Sequence, residues 1–485
     1  MSLKNRASKA LAWSFVDRIA QYGLQSAVSI ILARLLLPGE VGLIGMLSVF
    51  LSFGAIFSDV GFGPALLQKN NSTNLDHCSV FFFNIVASSL GATALWFAAP
   101  TIAEFYGNSE LCSLTRVIAF ILPFSALGNL QSTLLNKNLD LKSQAKASVV
   151  SGFISGLLAV TMAWFGCGVW SLAAQSLTQA LIRSILLWQM SDWRPKMFFS
   201  WSALSSMWPF GSRVLSSAFI NTVVDSIFPV AIGKYYSPTV LGLYTMANRI
   251  PYTFASSLSS IVGRVSLPLY IKIRDQPDSL RKTYMKTMTM ICFVNTPLMV
   301  GIATVATPLV QGLLTQKWLP AIPYIQLVSV AMIFLPIINS NMDALIGSGR
   351  ADLHMRFTII SKLLKVSNIV ISFKLGVLGF LSGEIVVGIL TCIIQAFIIG
   401  KIIKYSILRQ LIDVIPILFA SSVLAISVLA CKAIPLQQPL LALLVQTLAG
   451  ALSFIAFSHF FRITAFLDLL AFAGNLRRQT NYNLV

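Results

Sequence analysis

Apolar residues run along this chain in blocks of about twenty, the length that crosses a bilayer as a helix. The blocks are expected at 11–33, 41–62, 79–99, 111–134, 147–166, 168–190, 208–232, 241–263, 286–310, 321–346, 357–376, 379–400, 411–431 and 440–461. Hydrocarbon offers no partner to a peptide group, so each block must satisfy its own backbone and becomes a helix. The pattern predicts an all-α polytopic membrane protein of about fourteen transmembrane helices. Connections are short, as at Leu37-Pro38-Gly39, Ser237-Pro238 and Leu319-Pro320. The longest, near 191–207 and 264–285, are too short for a separate domain, which needs at least about 40 residues.

A repeat organises these spans. Arg34, Pro38, Gly42, Leu43 and Met46 recur at identical spacing as Lys234, Pro238, Gly242, Leu243 and Met246. Trp13 and Arg18 pair in the same way with Trp208 and Arg213, and Asp140-Leu141 approximates Asp352-Leu353. Each copy holds six spans, an even number, so both copies enter the membrane in the same sense. The expected architecture is two six-helix lobes related by a pseudo-twofold along the membrane normal, with two further helices at the end. The first lobe is placed at 1–200, the second at 201–405, and the final helices with a tail at 406–485.

Polar residues interrupt some spans in a pattern of their own. Asp17, Gln21, Gln25 and Ser29 recur every four residues in the first span, and Arg213, Ser217, Asn221 and Asp225 do so in the seventh. Four-residue steps keep side chains on one slowly drifting helix face. The second span adds Ser48, Ser52 and Asp59; the eighth adds Asn248, Arg249, Tyr252 and Ser256. Two explanations compete: hydrogen-bonded glue between helices, or a wet cavity lined by the first two helices of each copy. Charges repeated at matching positions in both copies favour the cavity. Arg18, Arg213 and Arg249, with Arg34 and Lys234 at the span ends, then form tiers of cations suited to phosphate or carboxylate. Lys362 is a weaker candidate of the same kind, and Asp343 and Glu384 are candidate ion or proton sites. Arg116, Arg183 and Lys365 lie near span ends, where snorkelling explains them.

Composition agrees with the pattern. The chain is 56% hydrophobic and 11% charged, against about 25% charged in soluble domains, and its mean hydropathy is +0.79. The net charge of +19 is distributed between the apolar blocks, which suits headgroup contact and orientation rather than nucleic acid. With the N-terminus inside, 23 of the 35 Lys and Arg fall on cytoplasmic segments, five on the opposite face and seven within spans. That asymmetry places both termini in the cytoplasm. The six cysteines are scattered, the three histidines are not clustered, and neither type has metal-ligand spacing. No P-loop, HExxH or GxSxG is present, so neither an enzyme nor a cofactor is expected.

Several of these segments resemble a known group. They are Trp13 through Gln21, Ala33 through Met46, Asp59 through Lys69, Gly168-Val169-Trp170-Ser171-Leu172, Trp193-Arg194-Pro195, Phe210-Gly211-Ser212-Arg213 and Ala247-Asn248-Arg249. In order and spacing they are similar to Wzx-type polysaccharide transporters of the multidrug/oligosaccharidyl-lipid/polysaccharide flippase superfamily. The resemblance covers most of residues 1–400 and is weak over the last two spans. It implies a cleft lined by helices one, two, seven and eight. It also implies movement of undecaprenyl-diphosphate-linked oligosaccharide from the inner to the outer leaflet of the bacterial inner membrane by alternating access. With no ATP-binding motif, a substrate gradient, a gradient of H+ or Na+, or the membrane potential is left to drive such a transporter. A cation-coupled multidrug antiporter of the same superfamily shares that fold but calls for a more acidic, aromatic cavity. A membrane-embedded polysaccharide polymerase calls for a large outer loop. Seven basic residues against five acids within the spans, and short outer loops throughout, favour the flippase.

Overall fold

The computed structural model describes residues 20–470 other than 22, 60, 70 and 434–437. Among them every regular element is helical. The chain divides into two compact units, Met1–Thr245 and Met246–Val485. The first holds α1 (Gly23–Leu35), α2 (Pro38–Asp59), α3 (Phe62–Gln68), α4 (Asn74–Tyr106), α5 (Glu110–Ile118), α6 (Ile121–Lys137), α7 (Leu141–Trp164), α8 (Val169–Met190) and α9 (Trp201–Tyr235). It also holds the first turns of α10 (Pro238–Lys272). The second unit continues α10 and adds α11 (Pro277–Thr304), α12 (Ala306–Leu313), α13 (Ile322–Met332), α14 (Phe334–Gly347), α15 (Ala351–Ser372), α16 (Gly376–Ile402), α17 (Ile407–Cys431) and α18 (Pro439–Phe460).

Among the described residues, eleven helical stretches are long and apolar enough to cross a membrane. One of them, Asp352–Ile402, contains both α15 and α16 across a single 3-10 turn, and so covers two of the expected spans. Helix α8 coincides with the block at 168–190 but is not among the eleven. Its six glutamine and serine residues, Ser171, Gln175, Ser176, Gln179, Ser184 and Gln189, lower its hydropathy, and α6 and α7 pack against it.

Two expected spans are broken, and proline explains both. A proline lacks the N–H that would bond four residues back, and its ring crowds that carbonyl. Pro123 frees Ala119, where α5 gives way to α6, and the Leu122 N–H takes over that carbonyl at 3.2 Å. Pro336 frees Met332, where α13 gives way to α14. Here the rescue is tertiary: buried Asn295 of α11 donates its Nδ2 to the carbonyls of Met332 and Ile333, both at 3.1 Å.

The repeated Pro-x-x-x-Gly motifs meet inside the first unit. A Cβ added to Gly42 would lie 1.7 Å from the Pro238 carbonyl oxygen, and one added to Gly242 would lie 1.8 Å from that of Pro38. The two glycines also face each other's backbone nitrogens at 3.1 and 3.0 Å from those same points. The contact is therefore reciprocal. Glycine is required because the two helix starts cross backbone to backbone. Glu40 supports the crossing by accepting a 2.6 Å bond from the Leu37 N–H, the backward half of a capping box.

A second tight approach joins α9 to the α2–α3 corner. Gly61 has φ +76°, and a Cβ there would lie 2.4 Å from the Gly211 carbonyl oxygen. Phe53 packs on Phe219 and Phe62 on Trp208, at ring-centroid distances of 5.7 and 6.2 Å. At the other end of α3, Lys137 donates to the carbonyls of Leu66 and Lys69 at 3.2 and 2.8 Å, and to Ser72 Oγ at 2.6 Å. A lysine there satisfies carbonyls that the helix leaves open. The second unit has a buried polar chain of its own: the Tyr284 hydroxyl donates to Asn341 at 2.7 Å, and Asn341 donates to Gln395 at 3.1 Å.

Candidate functional site

The first polar stripe becomes part of a small niche. Gln21 and Gln25 on the first helix face Gln175 and Gln179 on α8 and Ser148 on α7, around a space of about 30 Å³. That is room for about two water molecules. Two helices each contribute amides four residues apart, so donors and acceptors are available in balance and no net charge is held. Gly152 and Gly156 make this possible, because a Cβ at either would press on Leu24 at 3.3 Å or Val28 at 2.6 Å. Gln175 and Gln179 were not among the expected site residues. Their signal was in the sequence, as an amide pair at helical spacing inside an apolar block.

Four of the five serines of the stripes bond within their own helices. Ser29 donates to the Gln25 carbonyl at 2.6 Å, Ser48 to Gly45 at 2.7 Å and Ser52 to Ser48 at 2.8 Å. In the second unit Ser256 donates to Thr253 at 3.2 Å. Such back-bonding satisfies a hydroxyl in an apolar setting without any neighbouring helix.

On α9, Arg213 and Asp225 are exposed and Asn221 is half-buried. Arg213 lies two residues from Gly211, so the contact with Gly61 holds its backbone against the α2–α3 corner. At that corner Asp59 accepts the Gly63 N–H at 3.1 Å and so anchors the first turn of α3. In the second unit Arg249 and Tyr252 are exposed and Asn248 is half-buried on α10. Asp17 and Arg18 lie outside the described residues.

The weaker candidates divide by setting. Arg34 is exposed at the end of α1. The Lys234 ammonium donates to the Phe105 carbonyl and lies 4.7 Å from the centre of that ring, closing the C-terminal end of α4. Asp343 of α14 is half-buried and packs on α10, with an oxygen 2.8 Å from where a Cβ of Gly263 would sit. Glu384 of α16 is half-buried beside Asn368 of α15, 3.5 Å from its Nδ2. Lys362 is half-buried on α15. Among the described residues no group of three or more His, Cys, Asp or Glu is arranged to hold a metal.

Comparison with known proteins gives this arrangement a context. The chain is 28% identical to the teichuronic acid biosynthesis protein TuaB of Bacillus subtilis (strain 168) over 62% of its own length and 63% of that protein's. It is 23% identical to the lipopolysaccharide biosynthesis protein WzxC of Escherichia coli (strain K12), over 85% of its length and 84% of the relative's. To the succinoglycan biosynthesis transport protein ExoT of Rhizobium meliloti (strain 1021) it is 25% identical, over 71% and 69%. Among solved structures, the fold is similar to the lipid II flippase MurJ in an inward closed conformation, with TM-score 0.73 and 13% identity over 93% of this chain and 98% of that one. An inward-facing multidrug resistance transporter of the MATE family is also similar, with TM-score 0.59 and 15% identity over 80% of this chain and 96% of that one. Residues 31–323 match the model of the polysaccharide biosynthesis protein family, well over half of the 485 residues, and the chain belongs to that family.

Proposed function

We propose that the protein is a flippase. It moves undecaprenyl-diphosphate-linked oligosaccharide from the cytoplasmic to the periplasmic leaflet of the bacterial inner membrane, for capsule, exopolysaccharide or O-antigen synthesis. The observation that carries this reading is the family match over residues 31–323. Relatives named for polysaccharide biosynthesis and for transport of succinoglycan support it, and so does the fold shared with a lipid II flippase.

The chemistry of the residues fits such a cargo. A diphosphate carries charge that bulk hydrocarbon rejects, and an arginine engages two of its oxygens at once. Arg213 and Arg249 supply guanidinium groups on helices α9 and α10, with Asn221, Asp225, Asn248 and Tyr252 on the same two helices. The amides of Gln21 and Gln25 match sugar hydroxyls, which both donate and accept. The polyprenyl tail stays in lipid while the head moves, and alternation between two states requires only that the cargo bind them differently. The driving force in this reading is a gradient of H+ or Na+, with Asp343 and Glu384 as the carboxylates that respond to it. Both termini are cytoplasmic.

The MATE likeness keeps a second reading in view, export of cationic drugs by a related transporter. One experiment separates the two. Cells deleted for the gene, with the initiating glycosyltransferase intact, are extracted and their polyprenyl lipids analysed by mass spectrometry. Accumulated undecaprenyl-diphosphate oligosaccharide supports the flippase. Unchanged lipid, together with new sensitivity to cationic drugs, overturns it in favour of drug export.

A further inference from the structure

The proline break in the fourth span opens a groove. Where α5 ends at Ile118 and α6 begins at Ile121, the chain steps away from α4 and leaves about 400 Å³ between them. Its walls are mostly apolar: Ala92, Trp96 and Phe97 from α4 and Ala119, Phe120 and Pro123 from the break, with the hydroxyls of Ser89 and Thr93 on α4 between them. Trp96, Phe97 and Phe120 are 39%, 77% and 45% exposed, so the groove is open along its length.

One cation stands beside it. Arg116, in the last turn of α5, is four residues before Phe120 at the break, and its guanidinium carbon lies 5.5 Å from the centre of the Trp96 ring. Its Nε is buried without an acceptor, and among the described residues Arg116 forms no ion pair. The ring answers the positive charge on one side but accepts no N–H in the plane of the guanidinium. Glu104 and Glu110 near the same turn leave it unpaired.

Depth fits a headgroup. Helix α4 has 33 residues and is roughly 50 Å long, about 20 Å more than the hydrocarbon layer. Centred in that layer, it projects roughly 10 Å at each end. Arg116 is six residues past Glu110, where α5 begins, or about 9 Å along the helix, within a few Å of the hydrocarbon boundary. The groove runs from Arg116 towards the middle of the layer.

We infer that this groove is a binding site for one anionic glycerophospholipid, with its phosphate on Arg116 and an acyl chain between Trp96, Phe97, Phe120 and Pro123. The cation selects the charge, and the depth of the groove selects a chain lying along the helices. Lipid there fills the gap that Pro123 creates and supports the kinked span from outside.

Native mass spectrometry of the detergent-purified full chain tests the site, using phosphatidylglycerol, phosphatidylethanolamine and undecaprenyl phosphate as competing probes. The expected result is one phosphatidylglycerol retained in preference to phosphatidylethanolamine. Arg116→Gln should weaken retention about fivefold or more, the effect of one basic residue at an anionic surface. Ala92→Phe, which fills the groove and leaves the cation, should abolish it. Equal retention of the two phospholipids, or retention unaltered in both variants, overturns the proposal. Selective retention of undecaprenyl phosphate overturns it too, and assigns the groove to a polyprenyl carrier.

Discussion

Gly42→Ala should destabilise the protein although it replaces a glycine inside a helix. In an exposed helix interior the same change stabilises by about 1 kcal/mol, because glycine loses more backbone freedom on folding. Here the new methyl would sit 1.7 Å from the Pro238 carbonyl oxygen. Carbon and oxygen approach to about 3.3 Å at the closest regular contacts, so the helix starts must part by roughly 1.6 Å. The obstacle is main chain, which has no rotamer to turn away. Overpacking of this kind costs roughly 3 kcal/mol, leaving a net loss of about 2 kcal/mol after the propensity gain. Gly242→Ala should behave alike, since its methyl would meet Pro38 at 1.8 Å. The double variant should lose less than the sum, because the first methyl already separates the helices that the second would push apart. Thermal unfolding of the purified protein in detergent reads the effect, with Gly301→Ala as control. Gly301 lies within α11, and a methyl added there would have nothing within 4 Å, so its variant should melt at or above the wild-type temperature. A Gly42→Ala variant that melts with Gly301→Ala would refute the backbone crossing.

Three further outcomes are expected. Gly61→Ala should lower the melting temperature more than Gly107→Ala: both glycines have positive φ, but only Gly61 meets backbone, at 2.4 Å. The Gly107 variant isolates the conformational cost of about 1–2 kcal/mol, so equal losses would remove the steric part of the argument. Asn295→Leu should cost about 1–3 kcal/mol for each carbonyl left bare at Met332 and Ile333, read as lost thermal stability; a neutral result would mean that the break is satisfied in another way. Arg213→Ala and Arg249→Ala should each slow export of the lipid-linked oligosaccharide at unchanged protein level, measured by accumulation of the polyprenyl intermediate. Normal export by both variants would remove the arginines from the transport path.

The legible parts of this protein share one property, that they are settled within about twenty consecutive residues. A block such as 411–431 has to be helical wherever it packs, because lipid leaves its backbone no other partner, and α17 occupies Ile407–Cys431. The proline breaks were not read in this way: Pro123 and Pro336 lie within spans expected to be continuous. Pro209, Pro229, Pro251 and Pro268 sit inside α9 and α10 without breaking them, so the outcome depends on what packs against the freed carbonyl. The repeat could be read because both copies keep their spacing. What meets those local features was not legible, since it comes from distant segments. That Asn295 covers the break at Met332, that Lys137 closes the end of α3, and that Gln175 and Gln179 complete the niche begun by Gln21 and Gln25 depend on how helices pack. The two glycine motifs show the division most clearly. Their spacing announced a duplication, but only packing set Gly42 against Pro238 and Gly242 against Pro38. Sequence alone determined a polytopic helical membrane protein with a repeated motif, because backbone satisfaction in lipid is a property of each segment. Tertiary structure decided which distant partner each glycine, amide or cation meets, because steric fit and hydrogen-bond partners depend on residues far apart in the chain.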